Sequence, residues 1–162
     1  MDRDLQSIQE VRDLVAKATA AQKELAEFDQ ARIDRIVESI ATACAKEAER
    51  LARMASEETG FGIWQDKVLK NILGSTLTWE SIKNLKTVGI LKEDKEKRLM
   101  EVAVPMGVVA ALIPSTNPTS TVMYKSMISI KAGNSIVISP HPNAKNCIIE
   151  TARVICEAAR KA

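Results

Sequence analysis

The chain has 162 residues, of which 46% are apolar, 27% charged and 3% aromatic. This length corresponds to one ordinary domain or to a piece of a larger fold, and the apolar fraction is sufficient for a core, which excludes a disordered tail. The 23 basic and 21 acidic side chains leave a net charge of +2, so nothing indicates a nucleic-acid or membrane-surface partner.

The chain contains one histidine, His141, and three cysteines, Cys44, Cys147 and Cys156. Their spacing matches no zinc ligand set, so we predict no metal site, and an odd cysteine count makes a poor disulfide framework. Reduced thiols are typical of the cytosol. No signal peptide is recognisable after Met1, and the apolar part of the longest uncharged stretch is too short to span a bilayer. The sequence therefore predicts a soluble cytoplasmic protein.

Three apolar stripes with helical spacing come first along the chain. The first ends near Phe28, and Asp29 is suited to cap the next helix. The second stripe is continuous and predicts one long helix that ends at Gly60 and Gly62. The third predicts a helix that packs its apolar face in the core. The members of the three stripes are Leu5, Ile8, Val11, Val15, Ala18 and Leu25; Ile33, Ile36, Val37, Ile40, Cys44, Ala48, Leu51, Met54 and Ala55; and Val68, Ile72, Thr76, Trp79 and Ile82.

From Thr87 the apolar period changes from that of a helix to that of a strand. Val88 and Ile90 alternate with Gly89, and a second alternating run lies at 100–104. Between the two runs lies a cluster of charged residues. This pattern predicts a β-hairpin with a charged, solvent-exposed tip.

Two buried strands, each followed by a helix, make up the remainder. The run 107–113 predicts a strand buried on both faces, and a second buried strand begins at Ser135. Asn117 is suited to cap the helix between them, with Pro118 as its first residue. A last helix is expected to open at residues 143–144. This order is the beginning of a doubly wound parallel sheet.

Two parallel strands cannot cover their own edges, so the chain predicts the opening of a larger fold. Ligands of such sheets bind beyond the carboxyl ends of the strands, where segments 113–120 and 139–143 are expected to be neighbours. Both segments are rich in hydroxyl, amide and proline groups. They are suited to hydrogen-bond a neutral group or hold a flat ring, but not to perform strong acid–base catalysis alone.

At these two segments a resemblance becomes specific. Residues 104–120 and 134–142 closely resemble the CoA-acylating aldehyde dehydrogenases, including the amino-terminal half of aldehyde-alcohol dehydrogenases, and residues 60–71 are similar to the same family. The resemblance implies an α/β fold in which amino-terminal helices and a β-hairpin lead into the first βαβα of an incomplete Rossmann-like parallel sheet. The implied divisions are a helical region 1–86, an oligomerisation-type hairpin 87–105 and the start of an NAD-binding unit, 106–162.

The resemblance also implies a reaction, in which an aldehyde, coenzyme A and NAD give an acyl-CoA and NADH. In this family a cysteine thiolate adds to the aldehyde, and CoA takes the acyl group from the thioester. The family's nucleophilic cysteine and dinucleotide loop lie beyond residue 162, so the chain alone is expected to be inactive. Its own three cysteines are expected to be buried, inert residues of helices.

Site roles follow from the same resemblance. The first segment is implied to lie by the nicotinamide and the second by the adenosine part of the cofactor. Asn117 or Thr116 is implied to be an oxyanion-type donor, although ordinary aldehyde dehydrogenases carry the asparagine one residue earlier and a lysine at the position of Ser139. The cofactor-binding residues implied are Ile113, Pro114, Ser115 and Thr116, and Ser139, Pro140, His141 and Pro142.

Alternatives to the enzyme remain open. One is a non-catalytic module that binds a nucleotide or pairs with another subunit through the hairpin. Another is a helical scaffold protein, which leaves the strand-end motifs unexplained. The resemblance implies a small aldehyde and an acyl-CoA as ligands, a homo-oligomer, and a location in the cytoplasm or in a bacterial microcompartment.

Overall fold

The computed structural model describes residues 2–162. Seven α-helices and four strands follow one another in this part of the chain. A π-helical turn, Leu73–Leu77, joins α4 to α5, and a 3-10 turn, Pro142–Ala144, precedes α7. The bounds are α1 Arg3–Leu25, α2 Gln30–Lys46, α3 Ala48–Thr59, α4 Trp64–Ile72, α5 Thr78–Ile82, β1 Gly89–Asp94, β2 Leu99–Ala103, β3 Val108–Ile113, α6 Pro118–Lys131, β4 Ser135–Pro140 and α7 Lys145–Lys161.

The first helix forms as predicted, but its apolar stripe is exposed. None of the described residues of α1 is buried, and Leu5 and Val11 are more than half exposed. Only the carboxyl-terminal end of α1 packs on the rest of the chain, where Leu25 contacts the core. The stripe from Leu5 to Val15 therefore faces outward within these 161 described residues, whereas Ala18 and Leu25 are half-buried.

The prediction of one long second helix is wrong, because the helix breaks at Glu47. The backbone of Glu47 leaves the helical region (φ −93°, ψ 5°), and α3 begins at Ala48. The apolar stripe continues across the break, so the pattern contains no sign of it. Helix α3 packs against α4 and α7. Asp29 caps α2 as predicted, accepting a hydrogen bond from the Arg32 amide at 2.8 Å.

The β-hairpin is confirmed. Strands β1 and β2 pair antiparallel from Gly89 opposite Ala103 to Asp94 opposite Leu99, with one irregularity between Ile90 and Lys92. Both strands are almost wholly exposed within the described chain.

The two predicted parallel strands and the helix after each are also confirmed, but β4, which was predicted to be buried, contains no fully buried residue. Strand β3 pairs with β4 from Val108 opposite Ser135 to Ile113 opposite Pro140. Burial of β3 on both faces is a wrong prediction for this chain, because Leu112 is 73% exposed while Ala111 and Ile113 are 3% exposed. The core packs against the face of β3 that carries Ala111 and Ile113, and the two-stranded sheet has no neighbouring strand among the described residues.

The core lies where α2, α3, α6 and α7 meet. Its fully buried apolar side chains include Ile33, Val37, Ile40, Leu51, Met123, Met127 and Ile148. Within residues 2–162, no helix combines the length and the apolar composition needed to cross a bilayer.

Candidate functional site

The two polar segments meet at the carboxyl ends of β3 and β4, as predicted. The His141 amide donates a hydrogen bond to the Ile113 carbonyl at 3.1 Å, directly after the paired residues Ile113 and Pro140. Segments 113–120 and 139–143 therefore form one continuous surface, which we call the strand-end edge.

Most of the predicted cofactor-binding residues are accessible at the strand-end edge. The exposed ones are Pro114, Thr116, Ser139, His141 and Pro142, whereas Ser115, Asn117 and Pro140 are half-buried and Ile113 is buried. The exposed side chains are mostly proline rings and hydroxyl groups. They present flat apolar surface beside hydrogen-bonding groups, which suits a nucleotide ring and its ribose.

His141 has a defined orientation at this edge. Its Nδ1 atom accepts a hydrogen bond from the Asn143 amide at 3.1 Å, at the start of the 3-10 turn. Because Nδ1 accepts, the neutral imidazole carries its proton on Nε2. His141 therefore offers an exposed N–H donor to a ligand.

Asn117 directly precedes Pro118, the first residue of α6, as predicted, but its side chain does not cap the helix. Within residues 2–162, its side chain makes no capping hydrogen bond. Its Oδ1 atom instead accepts a hydrogen bond from Nζ of Lys70 at 2.9 Å. The reason is that an ammonium group from α4 competes for the only side-chain acceptor of Asn117.

A buried lysine beside segment 113–120 was not predicted from the sequence. Lys67, on α4, is only 4% exposed and donates from Nζ to the Thr116 carbonyl at 2.9 Å. Burial, reinforced by the neighbouring charge of Lys70, lowers the pKa of Lys67 from its ordinary value. Lys67 and Lys70 therefore hold two successive residues of the strand-end edge.

The next turn of the same helix contacts the start of α6. Asn71 is fully buried, accepts a hydrogen bond from the Thr119 hydroxyl at 2.7 Å and donates to the Ala48 carbonyl at 2.9 Å. At Gly74 an added Cβ would lie 2.8 Å from the Ser120 carbonyl oxygen. Only glycine allows this approach of the two backbones.

The third apolar stripe forms only part of the buried face that the sequence predicts, because Trp79 and Ile82 alone pack against the core. The stripe residues are half-buried, and the fully buried positions are polar or small ones: Lys67, Asn71, Gly74 and Ser75. From Lys67 to Asn71 and on to Gly74 or Ser75 the spacing is three to four residues, so the same helical periodicity is present in the polar and small residues of the sequence. Because the apolar stripe has the same period, the sequence alone does not show that the polar and small positions are the buried ones.

A carboxylate caps the helix that follows the strand-end edge. Glu58, on α3, accepts hydrogen bonds from the amides of Asn146 and Cys147 at 2.8 and 2.7 Å. Partial burial raises the pKa of Glu58, but these two hydrogen bonds outweigh it and leave the pKa below its ordinary value of 4.5.

Two of the three cysteines are buried as predicted. Burial raises the pKa of Cys44 to about 12, and burial together with Glu58 raises that of Cys147 to about 12, so both are thiols at neutral pH. Cys156 is exposed, which contradicts the prediction that it is buried. It follows Ile155 by one residue and so points about 100° away from the core face of α7.

Comparison with known proteins places the chain in a family. A sequence model described as "Aldehyde dehydrogenase family" matches residues 4–160, and the chain belongs to that family. It is 40% identical over 153 residues to the bifunctional aldehyde-alcohol dehydrogenase AdhE of Escherichia coli K12, covering 94% of this chain and 17% of AdhE.

Two solved structures share the fold almost throughout. A probable aldehyde dehydrogenase from Listeria monocytogenes EGD-e is 64% identical with a TM-score of 0.97, and covers 99% of this chain and 36% of its own. An acetylating aldehyde dehydrogenase from Geobacillus thermoglucosidasius is 56% identical with a TM-score of 0.95, and the match covers 99% of this chain and 35% of its own. The resemblance to acylating aldehyde dehydrogenases and the incomplete Rossmann-like sheet are thus confirmed. The chain spans about a third or less of the length of these proteins.

Proposed function

We propose that this chain is the amino-terminal part of an NAD-dependent, CoA-acylating aldehyde dehydrogenase. The reaction converts a small aldehyde, CoA and NAD+ to an acyl-CoA, NADH and a proton. The observation that carries the proposal is the strand-end edge itself. It joins Ile113 to His141 in a fold shared with an acetylating aldehyde dehydrogenase at 56% identity.

The residues of the strand-end edge fit a dinucleotide. Neither segment contains a carboxylate that would repel its phosphates. We assign Ile113, Pro114, Ser115 and Thr116 to the nicotinamide side, and Ser139, Pro140, His141 and Pro142 to the adenosine side. When bound, the dinucleotide supplies the hydride acceptor. The proline rings of the two segments and the Nε2 donor of His141 would hold it.

Asn117 is assigned to the aldehyde oxygen. A polarised amide N–H at this position stabilises the negative charge that develops when a thiolate adds to the carbonyl. The hydroxyl of the adjacent Thr116, which is exposed, is the second candidate for this role.

We propose that the nucleophilic thiolate comes from outside these 162 residues. Cys44 and Cys147 are fully buried thiols with a pKa of about 12. Cys156 is 11 residues beyond the start of α7, which corresponds to about 16 Å along the helix away from the strand-end edge. The isolated chain is accordingly expected to bind cofactor at most, without oxidising aldehyde.

Oligomer formation through the hairpin is the second proposal for this chain. Ile90, Met100 and Val102 on the hairpin are each about half exposed, which favours pairing with another copy in a homo-oligomer. A purely non-catalytic pairing module is the alternative that the same observation supports.

We place the protein in the cytoplasm or a bacterial microcompartment, where reduced thiols such as exposed Cys156 persist.

The experiment measures NADH formation by the full-length protein that its gene encodes, with acetaldehyde as substrate, with and without CoA, and with NAD+ or NADP+. We expect NADH formation that requires CoA and prefers NAD+. Loss of the His141 donor in His141→Ala is expected to raise the KM for the dinucleotide about fivefold, the equivalent of one hydrogen bond. Lys95→Ala, at the exposed hairpin tip, is the control and leaves KM unchanged. A full-length protein that self-associates but forms no NADH supports the pairing module instead.

A further inference from the structure

Lys70 makes a contact that determines which way the Asn117 amide faces. An asparagine side chain has an acceptor end, Oδ1, and a donor end, Nδ2, and the two are easily exchanged by rotation. The Lys70 ammonium group, 2.9 Å from Oδ1, has donors only. It therefore stabilises the orientation in which Oδ1 faces Lys70 and disfavours the one in which Nδ2 faces it.

The chosen orientation is the one that serves an anionic ligand. With Oδ1 held by Lys70 on α4, both N–H groups of Asn117 are left to donate elsewhere. Asn117 is half-buried, so its side chain is partly shielded from bulk water and still partly accessible. Donors that are oriented before the reaction stabilise a developing negative charge more than mobile ones.

The backbone of the loop is held from the same helix. Lys67 binds the Thr116 carbonyl at 2.9 Å from a position that is 4% exposed. The C=O and N–H groups of a trans peptide point in opposite directions. Because the Thr116 carbonyl points toward α4, the amide N–H of Asn117 points away from α4.

The contacts between α4 and segment 113–120 continue beyond Lys67 and Lys70. Asn71 and Gly74 fix the first turn of α6 through Thr119 and the close approach to Ser120. The four positions on α4 and its π-helical turn have the spacing of one helical face, and they meet residues 116, 117, 119 and 120 in order. A side chain held on such a surface stays oriented without a bound ligand.

We propose that Lys70 is a positioning residue, which holds Oδ1 of Asn117 so that the amide N–H groups face the aldehyde oxygen at the strand-end edge. This inference rests on the proposed function, because it requires Asn117 to donate to that oxygen. Lys70 acts through Asn117 and does not itself touch the substrate.

The kinetic test is a double-mutant cycle in the full-length protein. We expect Asn117→Ala to lower kcat about a hundredfold, as loss of an oxyanion donor does, and Lys70→Met to lower kcat about tenfold with little change in the KM for NAD+. Adding Lys70→Met to Asn117→Ala should cause no further loss. Lys70→Arg, which keeps a donor at this position, should restore most of the rate.

A matched control and an independent readout accompany the cycle. Lys125 also donates from Nζ to a backbone carbonyl, that of Leu112 at 2.8 Å, but not to the loop, and Lys125→Met should retain the wild-type kcat. In crystals of full-length Lys70→Met without ligand, we expect the Asn117 side chain to leave its single orientation.

The outcomes separate the two proposals. A wild-type protein without CoA-dependent activity contradicts the proposed function, and the crystal structure of Lys70→Met then still decides whether Lys70 orients Asn117. An unchanged Asn117 orientation in that crystal overturns the inference. A tenfold loss from Lys70→Met in both the wild-type and the Asn117→Ala backgrounds overturns it as well.

Discussion

Glu58 joins two helices that are distant in sequence. Its carboxylate binds two amides at the start of α7, where the partial positive charge of the helix terminus also favours an anion. Because the pKa of Glu58 is lowered in the folded protein, its stabilising contribution is complete above the unfolded value of 4.5. The contribution is lost as the pH falls through the folded-state pKa.

We therefore expect Glu58→Gln to reduce the free energy of unfolding at neutral pH by about 1 kcal/mol, typical of a helix cap. The difference from the wild type should narrow as the pH falls below 4.5. Thermal unfolding at a series of pH values measures both effects. Glu57→Gln, at the exposed neighbouring position, is the control with little effect. A Glu58→Gln deficit that is constant with pH would contradict this account.

Local contacts of single residues are predictable from the sequence, whereas distant ones are not. Asp29 caps α2 by accepting from the Arg32 amide, three residues ahead. A contact over this distance belongs to a local sequence pattern. Glu58 binds amides 88 and 89 residues away, and Lys70 reaches Asn117 over 47 residues. Asn117 belongs to the predicted edge, but its partner depends on tertiary structure and so was missed.

At the level of elements, the π-helical turn after α4 depends on a glycine. The backbone of Gly74 lies so close to Ser120 that a Cβ would meet its carbonyl oxygen at 2.8 Å. The two closest atoms, the carbonyl oxygen and Cα of Ser120, belong to the backbone and cannot rotate away.

We expect Gly74→Ala to lower the free energy of unfolding by about 1 kcal/mol. Overpacking costs about 1–3 kcal/mol, and the better helix propensity of alanine offsets about 1 kcal/mol of it. Denaturant unfolding of the full-length protein measures the change. The sign decides the matter: a stabilised Gly74→Ala variant would show that α4 and α6 do not approach as described.

The strands and hairpin could be predicted because their signals are local. Alternation with a period of two and glycines at turns lie within a few residues of each other. The break at Glu47 could not be predicted, because the apolar stripe continues across it. Cys44 in α2 and Ala48 and Leu51 in α3 are all buried. The buried face of α4 was misjudged because the face that packs on the strand-end edge is polar.

At the level of the whole chain, large apolar side chains are exposed on several faces. Leu112 on the open face of β3, Leu69 on α4 and Met106 before β3 are 73%, 69% and 92% exposed. Together with the stripe of α1, they exceed the scattered apolar residues usual on a monomer surface.

The 162-residue chain, produced by itself, is therefore expected to self-associate and to bind a hydrophobic dye. Leu112→Lys should reduce both, since it places a charge on the open face of the sheet. Light scattering and dye fluorescence measure the two effects. Lys46→Ala, at an exposed position of α2, should change neither. A monodisperse monomer without dye binding would contradict the view that these faces need a partner.

We propose that the strand-end edge is part of the active site of an enzyme that transfers an acyl group to CoA. The most direct measurement is the identity of the product when the full-length protein is incubated with acetaldehyde, CoA and NAD+, followed by mass spectrometry. We expect acetyl-CoA and NADH in equal amounts, because each hydride removed leaves one enzyme thioester, whose acyl group CoA accepts as the cysteine thiol is released. Formation of free acetate with NADH at a rate independent of CoA, or no oxidation of the aldehyde, would contradict it.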